Sequence, residues 1–157
     1  MKWGLSILAL CALLAATAPE GGAAEQGGGD AKLLKMVVLS RHGVRSPTQS
    51  SETLESWSRK DWPEWPVKRG ELTQRGAKLV TAMWEQEAAF LREAGLLPSK
   101  GCPEAGTIAV RVDRDQRTRV TGEAVLEGLA PGCGFKPIVN ETDHPDPLFH
   151  PLEAGYC

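Results

Sequence analysis

Residues 33–40, Leu33-Leu34-Lys35-Met36-Val37-Val38-Leu39-Ser40, run directly into Arg41-His42-Gly43-Val44-Arg45-Ser46-Pro47-Thr48. The first segment is short, apolar and rich in β-branched side chains, so it reads as a strand covered on both faces, central and parallel. Parallel neighbours must be joined by long crossovers, usually helices, which commits the chain to an α/β layout. The remaining pattern agrees. Thr73 is placed to cap a helix, and Gly76, Leu79, Val80, Met83, Trp84, Phe90, Leu91 and Ala94 recur at steps of three and four until Gly95 stops it. Residues 107–112 alternate as a second strand, closed by Asp113-Arg114-Asp115. Residues 118–129 read as a second helix stopped by Pro131, and 135–139 as a brief third strand before a Pro-rich tail. Residues 50–70 carry no sustained period, and Trp62-Pro63-Glu64-Trp65-Pro66 is Pro-restricted loop. Strand, helix, strand, helix, strand predicts α/β with a parallel sheet.

The amino terminus sets the expected compartment. Met1-Lys2 gives a positive start, and residues 3–18 carry no charge. That stretch is short for a membrane span and suits the apolar core of an export signal. Gly22-Ala23-Ala24 ahead of Glu25 fits a cleavage site, with Ala16-Thr17-Ala18 competing. The expectation is therefore a signal at residues 1–24, one domain at 25–157, and a periplasmic or secreted product with no membrane attachment after cleavage. Apolar residues at 41% and charged residues at 24% exclude wholesale disorder. A net charge of −2 gives no reason to expect a nucleic-acid partner.

Cys102 and Cys133 both sit in Gly/Pro turns, Gly101-Cys102-Pro103 and Pro131-Gly132-Cys133-Gly134. An exported chain can oxidise them, and their pairing would close a loop worth about 3–4 kcal/mol in the chain-entropy estimate. Zinc is the competing use, but no two cysteines have short ligand spacing. Cys157, the last residue, is then the odd one, and the expectation is that its partner lies further on.

The segment 41–48 carries the chemistry. Ligand sites of open α/β sheets gather at the C-terminal ends of strands. Arg41 and Arg45 offer planar forks of donors that match phosphate oxygens and never lose their charge. Gly43 permits close backbone approach, and His42 between the two arginines can serve as an attacking group. On the residues alone, a solvated basic loop with a structural histidine remains open.

Arg41-His42-Gly43-Val44-Arg45-Ser46-Pro47-Thr48 resembles the signature of the histidine acid phosphatases, and the surrounding text resembles their bacterial periplasmic phytase and glucose-1-phosphatase branch. Leu72-Thr73-Gln74-Arg75-Gly76, Gly101-Cys102-Pro103, Arg117-Thr118-Arg119-Val120-Thr121-Gly122-Glu123-Ala124, Asp146-Pro147-Leu148-Phe149 and Gly155-Tyr156-Cys157 continue the likeness. The resemblance implies a phosphoglycerate-mutase-like sheet with flanking helices, incomplete in this chain, so that 25–157 is the N-terminal part of the domain. It implies a metal-free, cofactor-free acid phosphomonoesterase, phytase-like and monomeric, acting on inositol or sugar phosphates. His42 would carry a phosphohistidine, with Arg41, Arg45 and Arg117 as the phosphate clamp and Thr48 and Asp113 lining the substrate pocket. Arg119 would face solvent or a structural partner. The family also needs a His-Asp pair to protonate the leaving oxygen, and no His-Asp dipeptide occurs in these residues. Weak activity follows as an expectation. The alternatives are a glucose-1-phosphatase, a broad acid phosphatase, or a non-catalytic phosphate-binding remnant.

Overall fold

A computed structural model describes residues 31–142 and 144–156. The expected export signal, Asp143 and Cys157 lie outside them. Apart from Ala31, the described residues belong to the unit Lys32–Cys157. Its elements run α1 (Ser51–Trp57), α2 (Gln74–Glu93), β1 (Arg111–Val112), α3 (Gln116–Leu129) and β2 (Ile138–Val139). β1 and β2 pair in parallel, Arg111 opposite Ile138 and Val112 opposite Val139. The Ile138 amide donates to the Val110 carbonyl at 2.8 Å and extends the ladder by one rung.

The core is the α2–α3 contact. Val80, Trp84, Ala88 and Leu91 from α2 bury against Ala124, Val125 and Leu129 of α3, with Leu97 closing one end. Each large side chain removed from water contributes about 1.5–3 kcal/mol before ordering costs. Gly128 sets how closely the helices cross: a Cβ there would stand 2.8 Å from the Trp84 Cβ. The Thr81 hydroxyl donates across the same contact to the Ala124 carbonyl at 3.2 Å.

The α/β class and both long helices match the sequence pattern, whereas the extended segments do not all form. Residues 33–40 adopt no strand, and Val37 is 84% and Leu39 91% exposed. Met36 alone of that run packs on the core cluster. A strand exists only through its ladder, and among the described residues the only ladder is β1–β2. For the same reason the strand expected over 107–112 contracts to two residues, and that over 135–139 likewise. α3 begins two residues earlier than the apolar period suggests. The stretch 50–70, which carries no sustained period, contains α1, whose first turn is held by the Ser50 hydroxyl accepting from the Thr53 amide at 3.3 Å. Only Leu54 of α1 is buried, so no apolar period could announce it.

Cys102 and Cys133 form a disulfide, with Cα atoms 5.6 Å apart. It ties the turn after α2 to the turn after α3. Removing it as Cys102→Ser/Cys133→Ser is expected to lower unfolding free energy by about 3–4 kcal/mol in urea titration. A loss under about 1 kcal/mol would mean that helix packing alone constrains these turns.

Candidate functional site

The Arg41–Thr48 loop is anchored by the segment that leads into α2 and by α3. The Ser46 amide donates to the Glu71 carbonyl at 2.9 Å, and Arg45 bridges Leu72 in antiparallel fashion. The hydroxyl of Ser46, a residue 1% exposed, donates to the Lys68 carbonyl at 2.6 Å. Thr73 caps α2 by accepting from the Gly76 amide at 2.9 Å, while its amide and hydroxyl both donate to the Val44 carbonyl. The helix cap and the loop anchor are therefore one residue.

Two glycines make this seat possible. A Cβ on Gly43 would lie 2.8 Å from Val80 Cγ2, and one on Gly76 would lie 2.9 Å from the Val44 nitrogen. Neither needs an unusual backbone angle; what each provides is room. Gly43 thus spends its missing side chain on α2, in addition to any approach to a ligand.

α3 holds the loop from the other side. The Gly43 amide donates to the Thr121 hydroxyl at 3.0 Å, and that hydroxyl donates to the Arg117 carbonyl at 2.7 Å. The Gln116 side-chain oxygen accepts from the Leu72 amide at 2.8 Å. These bonds bring the first turn of α3, with Arg117, against the loop that carries His42. Thr121 and Gln116 have no role in the sequence reading; the signal for Thr121 is its i+4 spacing from Arg117, where a threonine commonly bonds back to the helix carbonyl.

His42 is half-buried, and its Nδ1 lies 2.8 Å from the Gly43 carbonyl oxygen. A carbonyl can only accept, so Nδ1 carries the hydrogen and the neutral ring presents its lone pair at Nε2. Arg45 Nη1 donates to the Ser46 carbonyl at 2.7 Å, which spends one of its five donors. Arg41 is exposed. Arg117 is ion-paired with Asp115. Asp115 occupies the N-cap position of α3 but makes no side-chain capping bond, so its carboxylate competes for Arg117 without bracing the helix. Asp115→Asn is accordingly expected to tighten sulfate binding about two- to fivefold by calorimetry, the range of a partly exposed pair. Unchanged affinity would mean that Arg117 takes no part in holding the anion.

Thr48 and Asp113, the two expected pocket residues, both make side-chain hydrogen bonds within the chain. Thr48 is exposed and donates to its neighbour Gln49 at 3.1 Å. Asp113 accepts from the Arg114 amide at 2.8 Å and stands 3.0 Å from His150 Nε2. Burial pushes the Asp113 carboxyl up, but the His150 bond, the Arg114 amide and their charges outweigh it and hold it below its ordinary value. Asp146, in the Pro-rich tail, is buried; Arg111 donates twice to its Oδ2, and the Leu148 amide donates to Oδ1. Arg119 is exposed. Among the described residues no cluster of three His, Cys, Asp or Glu side chains could hold a metal, and no helix is long and apolar enough to cross a membrane.

Comparison with known proteins gives the family. Residues 32–157 match the model of the histidine phosphatase superfamily (branch 2). Phytase AppA of Escherichia coli (strain K12) is 45% identical over 127 residues, covering 80% of this chain and 29% of that protein. A glucose-1-phosphatase of Salmonella typhimurium (strain LT2) is 30% identical over 150 residues, 94% of this chain and 34% of its own. The Hafnia alvei phytase structure in complex with tartrate superposes with a TM-score of 0.68 at 44% identity, over 74% of this chain and 29% of that one. The chain thus spans about a third or less of the proteins it matches. A family match over residues 32–157, around a histidine seated between two arginines, means that this chain belongs to branch 2 of the histidine phosphatase superfamily.

Proposed function

We propose that this chain supplies the nucleophile and phosphate clamp of an acid phosphomonoesterase working through a phosphohistidine. The observation that carries the reading is the His42 ring, pinned through Nδ1 to Gly43 with Nε2 left to attack. In the first step Nε2 bonds to phosphorus, the bond from phosphorus to the leaving oxygen breaks, and that oxygen takes up a proton. In the second, water attacks phosphorus, loses a proton, and releases phosphate and free His42. Arg41, Arg45 and Arg117 hold charge where it builds on the phosphoryl oxygens, the main source of rate in such transfers.

A phytase-like substrate, an inositol or sugar phosphate, is favoured by 45% identity to a phytase against 30% to a glucose-1-phosphatase. Action outside the cytoplasm, in the periplasm or medium, rests on the signal-like residues 1–24 and on the Cys102–Cys133 bridge. Because the 157 residues hold no His-Asp pair, the chain by itself is read as a weak catalyst, and a role limited to binding phosphate is the second reading. The test is to mix it with a nitrophenyl phosphate, quench in alkaline detergent, and map phosphorylated peptides. Phosphate on His42 supports turnover; sulfate binding with no labelled histidine would leave only the binding role.

A further inference from the structure

The tail crosses the end of β1 at two points. Asp146 takes Arg111 Nη2 at 3.1 Å, and His150 takes Asp113 Oδ2 at 3.0 Å. Residues two apart in extended chain share a face, so Arg111 and Asp113 are matched by a tail pair four apart. The tail is turned between those anchors and just beyond them: the His150 amide donates to the Asp146 carbonyl at 2.8 Å, and the Ala154 amide to the His150 carbonyl at 3.0 Å. The Asp113 side chain is 14% and the His150 side chain 36% exposed.

On the other side of this contact lies the start of α3. The Thr118 hydroxyl is shared between the Asp113 and Asp115 carbonyls, at 2.6 and 2.8 Å. Arg117 therefore extends from a turn whose position is set by Asp113. We propose that His150 is a positioning residue, an acid-closed latch that seats the 146–155 tail on the β1–α3 turn and so fixes the helix start bearing Arg117. Its catalytic consequence rests on the reading of Arg117 as a phosphate ligand; the latch itself does not.

The charged groups facing His150 are Asp113 and Arg114 from the turn and Glu153 from the tail, the last 3.6 Å from Nδ1. The Asp113 hydrogen bond, helped by both carboxylate charges, raises the imidazole above its ordinary value despite burial and Arg114. Stability from a raised imidazole is complete below its ordinary value of about 6.5 and is lost as pH climbs through the raised one. The lowered Asp113 value keeps its half of the pair charged until pH falls through that value. The latch is thus closed in mild acid and opens on the alkaline side.

The experiment is amide exchange by NMR on the full chain, corrected for intrinsic rates, at the Thr118 and Arg119 amides that bond to the Asp115 carbonyl. Wild-type protection should fall about two- to fivefold from pH 5.5 to pH 9, the range of a partly exposed ion pair. His150→Gln, which cannot titrate, should be flat and low. His150→Lys, cationic throughout, should be flat and high, a rescue that a purely packing role would not give. In wild type, the His150 imidazole should also titrate above its value in Asp113→Asn. The same pH dependence in wild type and His150→Gln, or an imidazole indifferent to Asp113→Asn, would overturn the latch. Sulfate titration of the same samples separates the two ideas: failure of wild type to bind sulfate removes the phosphate site, while the exchange data still decide the latch.

Discussion

His42→Ala is expected to cut hydrolysis of a nitrophenyl phosphate by on the order of 10⁴-fold or more, the usual cost of removing a covalent nucleophile, while sulfate continues to bind. The two effects separate because different groups carry them. His42 is held by one bond to its own loop, from Nδ1 to the Gly43 carbonyl, and no other described hydrogen bond uses its ring. The loop's position is set instead by Ser46, Thr73 and Thr121. Deleting the imidazole therefore removes Nε2 without releasing Arg45 or the start of α3. Steady-state rates beside calorimetric sulfate affinity provide the check. Residual hydrolysis within tenfold of wild type would mean that His42 is not the nucleophile; loss of sulfate binding together with rate would mean that the ring is a strut of the loop.

The second large effect is a split between leaving groups. An alkoxide must gain a proton as it departs, and a positioned general acid is typically worth about 10²–10⁴-fold. No His-Asp pair is present in the sequence, and the aspartates of the β1–α3 turn and of the tail that packs on it are committed elsewhere. Asp146 has donors on both oxygens, Asp113 is bonded to His150 and Arg114, and Asp115 is paired with Arg117. The purified chain should therefore lose about 10²–10⁴-fold on an alkyl phosphate relative to family enzymes that carry such a pair, and far less on an aryl phosphate whose phenolate leaves unaided. The ratio of the two rates at acidic pH is the measurement. A near-unit ratio would require an acid within these residues, with Asp113→Asn and Asp146→Asn the variants that find it.

The two long helices were legible in the residues because each carries several turns of apolar period and its own stop signals. The Arg41–Thr48 loop was legible because its side chains have a chemistry that packing alone does not call for. The strand at 33–40 was not secured, since composition describes what a segment can pair with and says nothing of whether the neighbour is there. Bonds such as Gly43 to Thr121, 78 residues apart, leave no local trace. On the site side, the bond between the Asp113 carboxylate and a histidine 37 positions away is equally silent in the local sequence.

That the His42 loop is seated by Lys68, Thr73 and Thr121, with the preceding residues 33–40 unpaired, bears on the order in which such a protein comes into being. Pairing strands in a parallel sheet waits on distant chain, and closing long loops makes that step slow. Two neighbouring helices meet sooner, and here their meeting is enough to cradle the nucleophile. As the chain is synthesised from its amino terminus, the chemically committed segment can take shape once α3 has docked on α2, ahead of any sheet. The exposed apolar side chains of the run Leu33 to Leu39 then stand unpaired beside a finished loop, and such exposed apolar segments are where aggregation competes with folding.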